Sequence, residues 1–286
     1  MKVPSIGADP EFSFKSKGGR MIHADSIIQR NTGHEYFGTD GCSAIAEIRP
    51  LPAKEPRQLV DNIRSVLQVG LSDYPALRDV YWKAGSCTGN EYALGGHIHF
   101  GTRGLNVKGI APVVKHLDTY VAQIISLLED ENESSNRRYG DYGGLNDYRT
   151  NDHGFEWRTP SSWLTSPRVA EGVLCLSHAC VVDSINGRMK RLPERLSLPY
   201  DDDWNEIVRE DQKRKVPGLK KAIKKFRLYK KYQEPIEFIF KLINENKTWF
   251  PKGDMKEAWG LVPKKEHRLD RLQIVNVKAI WDGVSK

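Results

Sequence analysis

Residues 95–101 read GGHIHFG. On an extended strand His97 and His99 share one face, while Ile98 and Phe100 point to the other. Three further stretches repeat the arrangement: ADPEFSF at 8–14, SAIAEIRP at 43–50 and GFEWRTP at 154–160. Period-2 alternation sets Asp9 and Glu11 opposite Phe12 and Phe14, Glu47 and Arg49 opposite Ala46 and Ile48, and Glu156 and Arg158 opposite Phe155 and Trp157. A face that merely met water would carry Lys, Thr, Ser and Gln as well. These eight positions carry only Asp, Glu, His and Arg, which points to one shared cleft.

Four carboxylates in one cleft repel unless they take up protons or bind cations. Carboxylates joined by one or two imidazoles suit magnesium or manganese better than structural zinc, which favours thiolates. Arg49 and Arg158 make poor ligands but good clamps for phosphate or carboxylate, because the guanidinium fork matches two oxygens. Cations with arginines fit phosphoryl transfer, where catalysis is largely charge neutralisation and positioning. Neither GxxxxGK[ST] nor GxGxxG occurs. The common nucleotide-binding loops therefore have no support. No Glu follows the second His closely enough for a cupin-like metal site.

The elements that must position these residues mix short strands with longer helices, an α+β pattern with an antiparallel or mixed sheet. Leu59, Ile63, Val66 and Leu67 follow helical spacing behind Pro56. The apolar set from Ile110 to Leu128 predicts a helix over 107–129. Ser166 as cap, Pro167 in the first turn and Gly187 at the end frame a third helix. The Gly-, Tyr-, Asn- and Arg-rich stretch 134–154 reads as one long loop, and loops of that length are commonly functional.

Charge divides the chain unevenly. Residues 205–286 carry a net of +10 and residues 1–204 a net of −3. This predicts a core over 1–204 and a basic, mainly helical extension over 205–286. Lysines interleaved with Phe226, Tyr229 and Tyr232 suggest three uses of that section: a solvated face packed on the core, a nucleic-acid contact, or attraction of another acidic macromolecule. Four cysteines without a CxxC pair read as reduced thiols in a cytoplasmic setting. The start of the chain shows no signal segment, and no apolar run is long enough for a membrane span.

The ordered motifs resemble the glutamine synthetase-like carboxylate–amine ligases, which include the glutamate–cysteine ligases, and within them the small amidoligases encoded by bacteriophages. The family's first strand has the form G-x-E-x-E-F with two metal-binding acids. GADPEF matches it, with Asp9 in place of the first Glu and Glu11 as the second. Glu47 matches the acid of a following strand, and Asp40 upstream offers it a companion. His97 of GGHIHFG matches a histidine that binds metal and nucleotide phosphate, with His99 orienting its neighbour. Glu156 and Arg158 of FEWRTP match a metal ligand and the arginine that holds the acyl phosphate. Arg137 and Arg138 are a looser match to an arginine of the ligand site.

The resemblance spans roughly residues 5–165. It implies an antiparallel sheet with the site on its concave face and helices behind. It also implies ATP with magnesium or manganese, small-molecule or peptide carboxylate and amine substrates, and a homo-oligomer. A phage protein of this kind would act in the host cytoplasm. The competing expectation is an idle relative with a structural or nucleic-acid-associated role, for which the shorter Asp9 and the basic tail leave room.

Overall fold

The computed structural model describes residues 1–28, 36–39, 41–88, 92–104, 109–130, 133–134, 136–137, 142–189, 206–249 and 253–263. Asp40, Arg138 and the domain boundary expected near residue 204 lie outside them.

Among the described residues, nine strands form two antiparallel sheets. The first runs in the order β1 (Ser5–Ala8), β7 (Ile98–Gly101), β9 (Gly154–Trp157) and β8 (Tyr148–Asn151). The second runs β3 (Met21–Ile22), β2 (Glu11–Lys15), β5 (Ala46–Ile48) and β4 (Phe37–Thr39), with β6 (Tyr81–Lys83) also pairing β2.

The stretch 8–14, expected as one strand, is two. The chain leaves β1 at Ala8 and re-enters as β2 at Glu11 in the other sheet. Pro10, which has no N–H to donate to a ladder, sits at the crossing. Backbone bonds from Asp9 N to His97 O and from Glu11 N to Gly95 O carry the pairing through the switch. Asp9 thus stands at the seam of the two sheets. Tyr148–Asn151, read as loop, forms the exposed strand β8, paired with β9. Its sequence, YRTN, lacks the apolar alternation that marks a half-buried strand.

Hydrophobic burial fixes which face is which. Ile6, Ile98, Phe100, Phe155 and Trp157 are almost fully buried behind the first sheet, and Phe12, Phe14, Phe37 and Trp82 behind the second. Each such side chain contributes roughly 1.5–3 kcal/mol on burial. The opposite, polar face is the one the alternation assigned to chemistry.

Helices cover the apolar faces: α1 (Pro56–Asp73), α2 (Ala111–Leu117), α3 (Pro167–Ile185), α4 (Glu206–Ile223), α5 (Gln233–Asn244) and α6 (Met255–Ala258). Ser166 caps α3 by accepting a bond from Val169 N, and Gly187 closes it at φ +68°. The helix expected over 107–129 runs as α-helix from Ala111 to Leu117, as a π-helical turn over Asp118–Ala122, as a short α-helical turn over Gln123–Ile125 and as a 3₁₀ turn at Ser126–Leu128. Such π turns frequently mark functional positions.

The described part of the basic section, 206–249 and 253–263, is mainly helical and packs on the core. Ile236, Ile239 and Phe240 of α5 belong to the same buried cluster as Trp157 and Leu174. Lys220 pairs with Glu237 at 2.6 Å, and Lys231 pairs with Glu55 at 2.6 Å.

Candidate active site

The register of the first sheet builds the site in rows. Gly7 lies opposite His99, His99 opposite Glu156, and Glu156 opposite Arg149. Asp9, one strand position beyond β1, reaches into the same group. Its Oδ1 lies 3.0 Å from His99 Nε2 and 3.6 Å from His97 Nδ1. Glu156 Oε1 lies 3.3 Å from His97 Nδ1 and 3.2 Å from Arg158 Nε. Arg158 also approaches Asp147 at 3.8 Å.

The second sheet adds Glu11 and Glu47, directly opposed on β2 and β5. Like charges so placed repel. Each is offset separately: Glu11 Oε2 accepts from Gly95 N at 2.6 Å, and Glu47 pairs with Arg49 at 2.9 Å. Tyr142 links the halves. Its hydroxyl lies 3.0 Å from Glu11 Oε1 and 2.8 Å from His97 Nε2, and the Arg137 and Arg158 guanidiniums sit over its ring. Gly95 keeps that junction open, because a Cβ there would lie 2.3 Å from His97 Nε2.

Burial alone would raise the Asp9 carboxyl, but the His97 and His99 imidazoles hold it well below the usual carboxylate range. Burial alone would lower His99, and Asp9 and Glu156 raise it. Asp9 Oδ1 is buried and accepts no well-aligned hydrogen bond despite the two imidazoles nearby. Among the described residues the set able to hold a metal is Asp9, His99 and Glu156, whose ligand atoms lie within 4.8 Å of one another. Two carboxylates, one imidazole and an orphaned carboxylate oxygen fit a magnesium- or manganese-sized cation.

The structure brings together Asp9, Glu11, Glu47, His97, His99, Glu156, Arg158 and Arg49 along one seam, with two changes of part. His99, expected to orient its neighbour, stands in the metal-capable set. His97, expected as the ligand, is the more buried of the two and bonds Tyr142.

Arg137 faces no open ligand space. It is 1% exposed and donates to the carbonyls of Leu94, Arg158, Thr159 and Pro160, so it braces the segments on which the site is built. Its fork adds a second donor at Leu94 O and Pro160 O, which also accept from Ser162 N and Gly96 N, and bonds the carbonyls of Arg158 and Thr159 as well.

Sequence reasoning missed Tyr142, Asp147 and Asp118, although the composition of 134–154 marked the first two as part of a functional loop. Asp118, on the π turn, accepts from Trp157 Nε1, Thr159 Oγ1 and Asn146 N at 2.9, 3.1 and 2.7 Å. It thereby fixes both neighbours of Arg158. Burial raises its carboxyl, and the three donors offset only part of that shift.

Residues 6–261 match the family model described as phage phiEco32-like COOH.NH2 ligase-type 2. The chain belongs to this family. The match runs through the basic section to residue 261, well beyond the part over which the motifs alone are legible.

The family's carboxylate–amine ligase description agrees with the fold, which is glutamine synthetase-like. A bifunctional glutathione synthetase from Pasteurella multocida is similar at TM-score 0.50 and 8% identity, over 90% of this chain and 49% of that one. A glutamine synthetase from Plasmodium falciparum gives TM-score 0.49 and 10% identity, over 85% of this chain and 72% of that one. The chain thus spans about half the length of that glutathione synthetase. No curated protein matches it.

Proposed function

We propose that the protein is an ATP- and magnesium-dependent ligase that joins a carboxylate to an amine. The observation that carries this reading is the Asp9–His99–Glu156 set at the seam of the sheets, with Arg158 beside it. The family and the glutamine synthetase-like fold support the reaction class.

In the proposed reaction a substrate carboxylate oxygen attacks the γ-phosphorus of ATP and ADP leaves. The amine nitrogen then attacks the acyl carbon, phosphate departs with the carbon–oxygen pair, and the nitrogen loses a proton. A bound divalent cation would supply charge neutralisation at the phosphates, held by Asp9, Glu156 and His99.

The chain's own residues orient and neutralise. Arg158 is aimed by its pairs with Glu156 and Asp147, and it presents a fork to the acyl phosphate. Arg49, tied to Glu47 and to Thr39 O, is the second cationic arm and stays partly exposed towards the cleft. Tyr142 holds Glu11 and His97 in register.

Among the described residues no helix is long and apolar enough to cross a membrane. The proposed setting is the cytoplasm of a phage host, and small-molecule or peptide acids and amines are the proposed substrates.

Incubation with ATP, magnesium and pooled acids and amines tests the reading. Phosphate should appear together with new amide masses, and both should vanish in Glu156→Gln. Phosphate release that persists undiminished in Glu156→Gln would count against it.

A further inference from the structure

A cleft of about 540 Å³ opens from the metal-capable set along the polar face of β1 and β7. Asp9 and His99 line its inner end; Arg103, His153 and Asn151 line its outer end, with Arg49 on one wall. Cavities of roughly 300–1,000 Å³ accommodate ligands of drug size.

The floor is unusually bare. Gly7 lies mid-strand in β1, at a negative φ that any residue adopts, yet glycine weakens a strand interior. A Cβ built there would meet His99 Cβ and Pro52 Cβ at 3.5 Å, ordinary contact distances. Backbone geometry and local crowding therefore do not demand glycine at this position. What a longer side chain would take up is the cleft itself, and Gly7 lines it. Glycine within a strand often marks close approach of a ligand.

The outer end is built, and it is cationic. Arg103 N donates to His153 O at 3.0 Å, extending the ladder past β7. Asn151 Oδ1 accepts from His153 N and Gly154 N at 3.0 and 2.8 Å and fixes the β8–β9 turn. From His99 to Arg103 is four residues, two of them beyond the end of β7 at Gly101, a span of at most about 13 Å. An extended peptide of about four residues covers the same length.

Building on the ligase reading, we propose that this cleft seats a short acidic peptide rather than a free amino acid. Its reacting carboxylate lies at the Asp9–His99–Glu156 end, and a second carboxylate is held by Arg103 at the outer end. The backbone of the peptide lies against Gly7.

Isothermal titration with magnesium present tests this, using L-glutamate, tetra-L-glutamate and ATP as probes. Tetraglutamate should bind at least tenfold more tightly than glutamate, with an affinity that falls as salt rises. The advantage should disappear in Arg103→Ala, return in part in Arg103→Lys, and disappear in Gly7→Val. Manganese binding should be unchanged in Arg103→Ala, an exposed position where folding is not at risk. Equal affinity for the two acids, or an advantage that survives Arg103→Ala, would overturn the proposal. So would weaker ATP binding in Arg103→Ala, because the cleft would then belong to the nucleotide. Magnesium-dependent phosphate release is measured separately, so loss of the peptide preference would leave the ligase reading standing.

Discussion

Asp9 Oδ1 lies 3.0 Å from His99 Nε2, although the two residues come from neighbouring strands and Asp9 belongs to neither sheet's regular ladder. The chain reaches this arrangement by crossing between sheets at Asp9–Pro10. Continued in the register of β1 and β7, a single strand would also set Asp9 opposite His97, but it would keep Glu11 in the first sheet, away from Glu47. The crossing instead divides the acids: Asp9 joins His99 and Glu156, and Glu11 joins Glu47 and Tyr142.

Tyr142 is the first test of that division. Tyr142→Phe keeps the ring between Arg137 and Arg158 and removes only the hydroxyl shared by Glu11 and His97. The structure predicts a stability loss of about 1 kcal/mol. It also predicts a fall in ligase activity of roughly 10–100-fold, as for other groups that orient ligands. Thermal unfolding and initial rates of phosphate release read the two effects apart.

Arg137 separates bracing from ligand contact. Arg137→Ala removes a buried donor from four carbonyls, of which Leu94 O and Pro160 O keep a backbone N–H, and the expected destabilisation is about 3 kcal/mol. Urea unfolding measures it. A variant of wild-type stability with only a raised KM for ATP would assign Arg137 to the nucleotide instead.

Glu133 gives a pH dependence. Burial, reinforced by the neighbouring Asp130 charge, pushes its carboxyl from the usual 4.5 up to about 7. The folded state therefore binds this proton more tightly than the unfolded chain. The associated stability is fully present below pH 4.5 and is lost as pH rises through about 7. Glu133→Gln should flatten that part of the stability profile and raise the melting temperature at pH 8 relative to wild type. A variant whose profile matches wild type from pH 4.5 to 8 would contradict it.

The polar alternation of four short stretches picked out residues that the structure gathers at one seam, because side chains on one face of neighbouring strands meet. His97, His99, Glu156 and Glu47 could be found from that signal. The sheet switch could not be read, since Pro10 breaks a ladder without indicating which sheet follows. Tyr142 and Asp118 also escaped. Tyr142 acts from an aperiodic stretch, and Asp118 resembles any polar residue of an amphipathic helix until the π turn aims it at Trp157 and Thr159. The helical frame of α3 was legible from local capping chemistry at Ser166, Pro167 and Gly187. Packing of the basic section on the core was one of three uses open from the sequence, and Ile236, Ile239 and Phe240 of α5 lie in the common buried cluster.

The central claim is that Asp9, His99 and Glu156 together hold a divalent cation. Manganese titration followed by electron paramagnetic resonance tests it most directly, on wild type, Asp9→Asn and Glu156→Gln. The account predicts a bound signal in wild type and at least tenfold weaker binding in each variant, with unchanged far-UV circular dichroism. Wild-type affinity in both folded variants would contradict it.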